Sequence, residues 1–169
     1  MLFRSSMGGT LDSPGNVFAE SIGTEVAPRA EWNFYLDPAA VNEVLSVGMP
    51  VTLVPLDATK EAAIKLSLVS KLKECSRTEA LDLVHEIITS VENWISEGHY
   101  FAWDVVTAVL LVHPTIGTCA SEQVLIETQG FESGRMYRSR SGCEVTCFST
   151  VDISLFEQLV VEGLSNATH

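Results

Sequence analysis

Residues 30–40 read AEWNFYLDPAA and place a carboxylate, Glu31, and a carboxamide, Asn33, just before a well-marked helix start. Side chains alternate along an extended chain, so an extended segment would project both groups to the same side. Asp37 has the short acceptor side chain that is favoured at a helix N-cap. Pro38 suits the first helical position because its missing N–H costs nothing there. The pattern predicts a polar pair at a strand end, followed by a helix.

The segments after this helix alternate between strand and helix patterns. Gly48 closes the predicted helix, and Val51 to Leu56 is an apolar run that suits a strand buried on both faces of a sheet. A helix is predicted beyond Thr59, running to about Lys73. A longer one is predicted over residues 80–95, because Ser76 and Glu79 have the spacing of a capping box and apolar residues then recur with helical period.

The last third changes to the period of strands. Gln123 to Glu127 and Glu144 to Phe148 predict strands separated by turns, and Ile153 to Leu164 predicts a final helix. This alternation favours an α/β layered fold with a mainly parallel sheet and flanking helices. Residues 1–29, rich in Gly, Ser and Pro, are expected to form an irregular leading segment with a short strand at Leu2 to Ser6. Residues 30–169 are expected to form the domain proper.

Composition excludes several classes of function. The chain has 169 residues, of which 46% are hydrophobic, enough for the core of a globular domain. Its net charge of −12 repels phosphate backbones and argues against nucleic-acid binding. Apolar runs such as residues 105–112 are too short to cross a bilayer, and the N-terminus lacks the apolar core of a secretory signal. We expect a cytoplasmic protein without membrane contact.

The four cysteines form no CxxC motif and no Cys/His pattern of zinc-finger spacing. Cys143 and Cys147 would share one strand face, but about 13 Å of strand would separate them, which is too far for a disulfide without a bend. The sequence predicts reduced structural thiols.

Four blocks of the chain resemble, in order and spacing, the inosine/uridine-preferring nucleoside hydrolases. They are Met7-Gly8-Gly9 with Pro14-Gly15-Asn16-Val17, then residues 30–40, then Gly48 to Thr59 with the sequence PLDAT, and finally Tyr100-Phe101-Ala102-Trp103-Asp104. The resemblance extends from about Met7 to about Leu164 and covers only the C-terminal half of such a hydrolase. It implies a partial, Rossmann-like nucleoside-hydrolase fold.

The resemblance also implies roles for single residues. Glu31 and Asn33 would contact ribose hydroxyls, and Asn16 would reach the sugar from its turn. Asp104 would be the metal ligand that this half of the family contributes. Trp103 stands where better-known members have a histidine thought to protonate the departing base, and an indole cannot act as a general acid at neutral pH.

Each of these residues also has a structural interpretation. Glu31 and Asn33 could be exposed strand-end residues, and Gly-Asn is also a common turn. Asp104 could be a helix N-cap, and Trp103 could stack on a nucleobase or pack in the core. Asp57 and Thr59 are interpreted as capping the start of a helix. The cluster Arg135, Tyr137, Arg138 and Arg140 is interpreted as a solvated loop.

The chain lacks the family's N-terminal DxDxxxDD cluster, which holds Ca²⁺ and orients the attacking water. Ca²⁺ takes six to eight oxygen ligands at about 2.3–2.6 Å, which Asp104 alone cannot supply. No catalytic residue is therefore assigned. We expect a nucleoside N-ribohydrolase-like domain that binds ribose or a nucleoside and is inactive alone. The alternatives are a non-enzymatic scaffold or interaction module, or one half of a split hydrolase complemented in trans.

A partner is expected in either case. Half of a sheet leaves strand edges and apolar surface that another chain would cover. The sequence therefore predicts homo-oligomerisation or association with a complementing N-terminal half.

Overall fold

The structure is a computed structural model that describes residues 4–17, 29–75 and 78–166. The described residues form two compact units. Residues of 1–59 and 117–151 form the first, and residues of 60–116 and 152–169 form the second. The predicted boundary between a leading segment and a domain at residue 30 stays a prediction.

A five-stranded sheet forms the first unit, with the strand order β1-β2-β5-β3-β4. The pairs β1–β2 and β2–β5 are parallel, whereas β5–β3 and β3–β4 are antiparallel. The predicted α/β fold class is confirmed, and its sheet is mixed rather than mainly parallel. Residues 127–135 join β3 to β4, and this connection is shorter than the dozen or more residues that parallel pairing needs. The strands are β1 (Arg4–Met7), β2 (Val51–Val54), β3 (Gly117–Ile126), β4 (Met136–Arg138) and β5 (Cys143–Val151).

Three helices accompany this sheet: α1 (Trp32–Leu36), α2 (Pro38–Ser46) and the single turn α3 (Leu56–Thr59). The predicted start of α2 is confirmed, because the Asp37 side chain accepts a hydrogen bond from the Ala40 amide at 2.9 Å. The strand predicted over Leu2 to Ser6 is found at Arg4–Met7, while Leu2 and Phe3 lie outside the described residues.

The core of the first unit lies between the sheet and α1 and α2. Burial of these side chains removes about 25 cal/mol of unfavourable hydration per Å² of apolar surface. Burial also raises the pKa of the Cys147 thiol to about 12. All four cysteines of the chain are free thiols. The core residues are Phe34, Leu45, Val51, Leu53, Val124, Ile126, Met136, Val145 and Cys147.

The second unit is helical, and neither of two predicted helices is continuous over its predicted length. The helix expected beyond Thr59 to about Lys73 is α-helical only over α4 (Leu66–Lys73), and Ala63 instead forms a β-bridge with Phe101. The helix expected over residues 80–95 is interrupted at Val91, where φ is −119° and ψ is 15°. The helices are α4 (Leu66–Lys73), α5 (Glu79–Ser90), α6 (Glu92–Ser96), α7 (Trp103–Val112) and α8 (Ile153–Ser165).

The cap of α5 also differs from the prediction. The Thr78 hydroxyl accepts a hydrogen bond from the Leu81 amide at 3.1 Å, so Thr78 is the N-cap. Ser76, the predicted cap, lies outside the described residues. Either residue satisfies the chemical preference for a hydroxyl at this position, and the spacing of the first apolar residues does not distinguish them. Among the described helices none is long and apolar enough to cross a membrane.

Candidate functional site

Glu31 is the N-cap of α1, and its side chain is buried. Its carboxylate accepts hydrogen bonds from the backbone amides of Asn33 at 2.9 Å, Phe34 at 3.2 Å and Gly9 at 3.0 Å. The residue is only 1% exposed. The predicted extended pair at Glu31 and Asn33 is wrong, because an acceptor side chain at Glu31 satisfies the first free N–H groups of a helix and thereby stabilises the helix instead of a strand. An anionic group also interacts favourably with a helix N-terminus.

Gly9 follows β1 and provides the third donor to Glu31. Its φ of +78° is in the left-handed region that favours glycine. A Cβ at this position would lie 2.8 Å from Met136 Cε and 2.9 Å from Phe34 Cε2, so there is no room for a side chain. The Gly9 carbonyl accepts a hydrogen bond from the Leu56 amide at 3.0 Å. The turn after β1 is therefore held between Glu31 and the start of α3.

Asn16 lies beside the same helix start. Its side-chain oxygen accepts a hydrogen bond from the Trp32 amide at 2.7 Å, and its own amide donates to the Ala30 carbonyl at 3.1 Å. Gly15 allows this approach, because a Cβ there would overlap the Ala30 backbone. The resemblance implied that Asn16 reaches the sugar, and that role stays a prediction; in this structure its carboxamide oxygen accepts from the protein backbone.

Asn33 is the exposed member of the group. Its amide nitrogen donates to the Met7 sulfur at 3.3 Å, and it lies on the first turn of α1. Asn16, Glu31 and Asn33 thus gather near the carboxyl end of β1, next to Met7 and Gly9. Ligands of open α/β sheets commonly bind outside the carboxyl ends of parallel strands.

The loop that follows Gly9 is held by the carboxylate of Asp57, a role that the sequence did not predict. Asp57 Oδ2 accepts from the Leu11 amide at 2.8 Å and from the Thr10 hydroxyl at 3.3 Å. Asp57 Oδ1 accepts from the amides of Asp12 at 2.7 Å and Ser13 at 2.9 Å. The interpretation of Asp57 as a capping residue of its own helix is wrong, because all four of these donors belong to a segment more than 40 residues earlier in the chain.

Arg138 closes the other side of this loop. Its guanidinium donates two hydrogen bonds of 2.8 Å to the Asp12 carboxylate and two more, of 3.0 and 3.1 Å, to Glu122. The hydrogen bonds that Arg138 donates lower the pKa of Asp12, and those that it donates to Asp12 and Glu122 raise its own pKa. Arg135 pairs with Glu132 and lies 5.7 Å from the Tyr137 ring centroid. At these two arginines the expected solvated cluster is instead an ordered set of ion pairs.

In the second unit, Asp104 lies on the first turn of α7 and is exposed. The N-cap of α7 is Ala102, so the interpretation of Asp104 as the N-cap is wrong. Trp103 is half-buried, and its ring stacks on Phe101 with centroids 5.3 Å apart and planes 13° apart. Of the predicted alternatives for Trp103, packing within the protein is the one that its surroundings support.

Residues 5–158 match the family described as inosine-uridine preferring nucleoside hydrolase. The chain belongs to this family. It is 28% identical over 147 residues to a non-specific ribonucleoside hydrolase from Escherichia coli, which covers 83% of this chain and 48% of the relative. It is 33% identical over 103 residues to nucleoside hydrolase 3 from Arabidopsis thaliana, covering 58% of this chain and 11% of that one.

Solved nucleoside hydrolases share the fold. An inosine-uridine preferring nucleoside hydrolase from Bacillus anthracis superposes with a TM-score of 0.79 at 23% identity, covering 95% of this chain and 50% of that one. A plant nucleoside hydrolase superposes with a TM-score of 0.80 at 20% identity, covering 95% and 52%. The chain therefore spans about half the length of the nucleoside hydrolases that it matches over most of its own length.

The calcium ion implied by the nucleoside hydrolase resemblance does not fit the donors present here. Within residues 4–17, 29–75 and 78–166, no group of three or more His, Cys, Asp or Glu side chains is arranged to hold a metal ion. Ca²⁺ requires about six to eight oxygen ligands. In its own unit Asp104 presents one carboxylate to solvent, so a complete coordination sphere would need donors other than these.

Proposed function

We propose that this chain supplies the ribose-binding part of a ribonucleoside hydrolase, with carboxylates for catalysis coming from elsewhere. The observation that supports this proposal best is the convergence of Asn16, Glu31 and Asn33 on one turn of helix at the carboxyl end of β1. Family membership makes a ribonucleoside the natural ligand class.

In the proposed complex, Asn33 and Glu31 bind adjacent ribose hydroxyls. A carboxylate accepts hydrogen bonds from hydroxyl groups, and a carboxamide both donates and accepts, so the pair matches a vicinal diol. Asn16 keeps α1 in place by accepting from the Trp32 amide. The negative charge of Glu31 also favours the positive charge that develops on ribose as the glycosidic bond breaks.

Hydrolysis in this proposal needs groups that the described residues do not bring together. Water must be activated near the sugar, and the described part of the chain gathers no set of donors for a divalent ion. Trp103 is packed on Phe101 and has no proton to give to a departing base at neutral pH. We therefore propose that the chain binds without turnover until an additional carboxylate-bearing segment joins it, whether from another chain or from a longer form of this one.

A partner surface belongs to the same proposal. Helix α7 is apolar apart from Asp104 and Thr107, and Val105, Leu111 and Val112 are 43%, 51% and 70% exposed. Contiguous exposed apolar side chains often mark a surface that another protein covers. We propose that this face is covered by a second copy or by a complementing half. If a second copy covers it, size-exclusion chromatography with light scattering should give a mass above the 18.4 kDa of the monomer. If a complementing half is required, the isolated chain should give the monomer mass.

Calorimetry with inosine, uridine and ribose tests the binding step directly. We expect inosine to bind and Asn33→Ala to weaken binding about 5-fold or more, because a hydrogen bond to a bound hydroxyl is worth roughly 1 kcal/mol or more. Asn93→Ala is the matched control, since Asn93 is also an exposed helical asparagine but lies on α6 in the other unit.

Release of free base from inosine, measured with Ca²⁺ and with a chelator, tests the catalytic step. We expect none from the isolated chain. Turnover that a chelator stops would show that the chain holds its own metal site and would contradict the incomplete-site proposal. No heat with any of the three ligands at millimolar concentration would contradict ribose binding and favour an interaction module.

A further inference from the structure

Both carboxylate oxygens of Asp57 accept hydrogen bonds from one short loop, residues 10–13. Three consecutive backbone amides, those of residues 11–13, donate to it at 2.7–2.9 Å, and the Thr10 hydroxyl adds a contact at 3.3 Å. Hydrogen bonds to an ionised acceptor are the strong ones. The Thr10 hydroxyl also lies 2.7 Å from the Ser13 carbonyl, so the loop is closed on itself around the same carboxylate.

The loop of residues 10–13 directly follows Gly9 of the candidate site in the chain. Gly9 immediately precedes it and donates its amide to Glu31 Oε2 at 3.0 Å. The residue before Asp57 also takes part, because the Leu56 amide donates to the Gly9 carbonyl at 3.0 Å. The first turn of α3 therefore holds Gly9 directly through Leu56, and holds the loop after Gly9 through Asp57.

We propose that Asp57 is a positioning residue for the sugar site: by gathering the amides of residues 11–13, it fixes Gly9 so that the Gly9 amide orients the Glu31 carboxylate. Asp57 touches neither Glu31 nor the proposed sugar position and acts through Gly9. The proposal rests on the proposed function for its ligand, ribose, but not for its structural step.

Burial makes the loop dependent on this carboxylate. Thr10 and Ser13 are 3% and 8% exposed, so water cannot readily replace a lost acceptor there. An asparagine at position 57 has the same shape but replaces one oxygen by an NH₂ group, which would face N–H donors. At least one amide of the loop would then lose its partner, and the constraint on Gly9 would loosen.

The test is Asp57→Asn in the full chain, read by amide hydrogen exchange and by inosine binding. Exchange is followed at Gly9 and, as a reference for global unfolding, at Leu53 in the central part of the sheet. We expect exchange at Gly9 to rise about 10-fold or more relative to Leu53, because local opening costs less free energy when the loop is released. Inosine affinity should fall by a similar factor.

Asp152→Asn is the matched control. Asp152 also accepts a backbone amide through its side chain, that of Leu155 at 3.0 Å, but at the start of α8 in the other unit. This variant should leave the ratio of Gly9 to Leu53 exchange and the inosine affinity unchanged. If Asp57→Asn does not fold, Thr10→Val removes the hydroxyl that lies 2.7 Å from the Ser13 carbonyl and 3.3 Å from the same carboxylate, and should raise Gly9 exchange by a smaller factor.

The outcomes separate this proposal from the proposed function. If Gly9 and Leu53 exchange rise together in Asp57→Asn, or if neither rises, Asp57 has only a general structural role and the positioning proposal is overturned. If Gly9 exchange rises alone while the wild-type chain binds no inosine, the step from Asp57 to Gly9 holds and ribose binding fails. If Gly9 exchange rises alone and inosine affinity is unaffected, Gly9 does not orient the sugar site and the proposal fails.

Discussion

Glu31 and Asp104, two carboxylates with predicted functional roles, have opposite environments in the structure. Glu31 in the first unit is 1% exposed and accepts three backbone amides. Asp104 in the second unit is exposed on the first turn of α7, and the described residues of its own unit give its carboxylate no hydrogen-bond donor. One carboxylate is part of the fold, and the other is presented at the surface.

The difference separates two kinds of functional residue. A buried, hydrogen-bonded carboxylate keeps a fixed position but contributes to folding, so its removal affects both binding and stability. A surface carboxylate on the first turn of a helix adds only a small favourable interaction with the helix dipole, so its loss should change stability little. The two positions should therefore respond very differently to the same substitution.

Glu31→Ala should have the largest effect on stability of the changes considered. It leaves the buried amides of Gly9 and Phe34 without their acceptor, and each such loss costs about 1–3 kcal/mol. We expect the free energy of unfolding to fall by about 3 kcal/mol in urea titrations followed by circular dichroism.

Asp104→Ala is the paired control in the second unit. It should change the free energy of unfolding by less than about 0.5 kcal/mol, as is usual for exposed sites. Equal losses for the two variants would contradict the distinction between a structural and a presented carboxylate.

Gly9→Ala should have the next largest effect and sharpens the account of Glu31. Gly9 and Gly48 have similar φ values, +78° and +71°, in the same unit. A Cβ at Gly9 would meet neighbouring side chains, whereas a Cβ at Gly48 would point into open space. Left-handed backbone alone costs an alanine about 1–2 kcal/mol, which both variants should show in urea unfolding. Gly9→Ala should cost about 1 kcal/mol more, at the low end of overpacking effects, because a Cβ there contacts Met136 and Phe34.

Equal losses of unfolding free energy in Gly9→Ala and Gly48→Ala would mean that the side chains around Gly9 move aside at little energetic cost. The turn after β1 would then be too soft to hold the Glu31 carboxylate, and the comparison with the exposed Asp104 would lose its basis.

The elements that sequence predicted well are those specified by local chemistry. Asp37 with Pro38 marks the start of α2, and the apolar residues from Val51 mark β2, because caps and buried strands depend on neighbouring residues. The family match supports the same order of motifs. Residues that lie far apart in sequence were predicted to meet only through the family resemblance, as at Asn16 and Glu31.

The wrong predictions concern residues whose side chains suit two different structural roles. Glu31 two positions before Asn33 fits an extended pair and also a helix N-cap, and only the position of Gly9 from another segment decides between them. Asp57 fits a helix cap, but its donors come from residues 10–13, a contact that no local pattern encodes. Pairing of Arg138 with Asp12 is likewise tertiary.

Removal of Arg138 should have a smaller effect than the changes at Glu31 and Gly9, and this effect depends on pH. Arg138 holds the pKa of Asp12 below its ordinary value, so the ion pair stabilises the fold above pH of about 3.9, and this contribution is lost as pH falls through the lowered pKa. The side chains are 71% and 47% exposed for Asp12 and Arg138, so solvent weakens the pair. Arg138→Met should therefore cost about 1 kcal/mol or less at pH 7.

The pH profile decides whether that loss belongs to the ion pair. Urea unfolding of wild type and Arg138→Met should differ at pH 7 and converge as the pH falls toward 2 through the lowered pKa of Asp12. Convergence also at pH 7 in 1 M salt would agree with a screened surface pair. A difference that persists at pH 2 would mean that Arg138 acts by packing, and the loop beside Gly9 would then be held by Asp57 with no electrostatic help from β4.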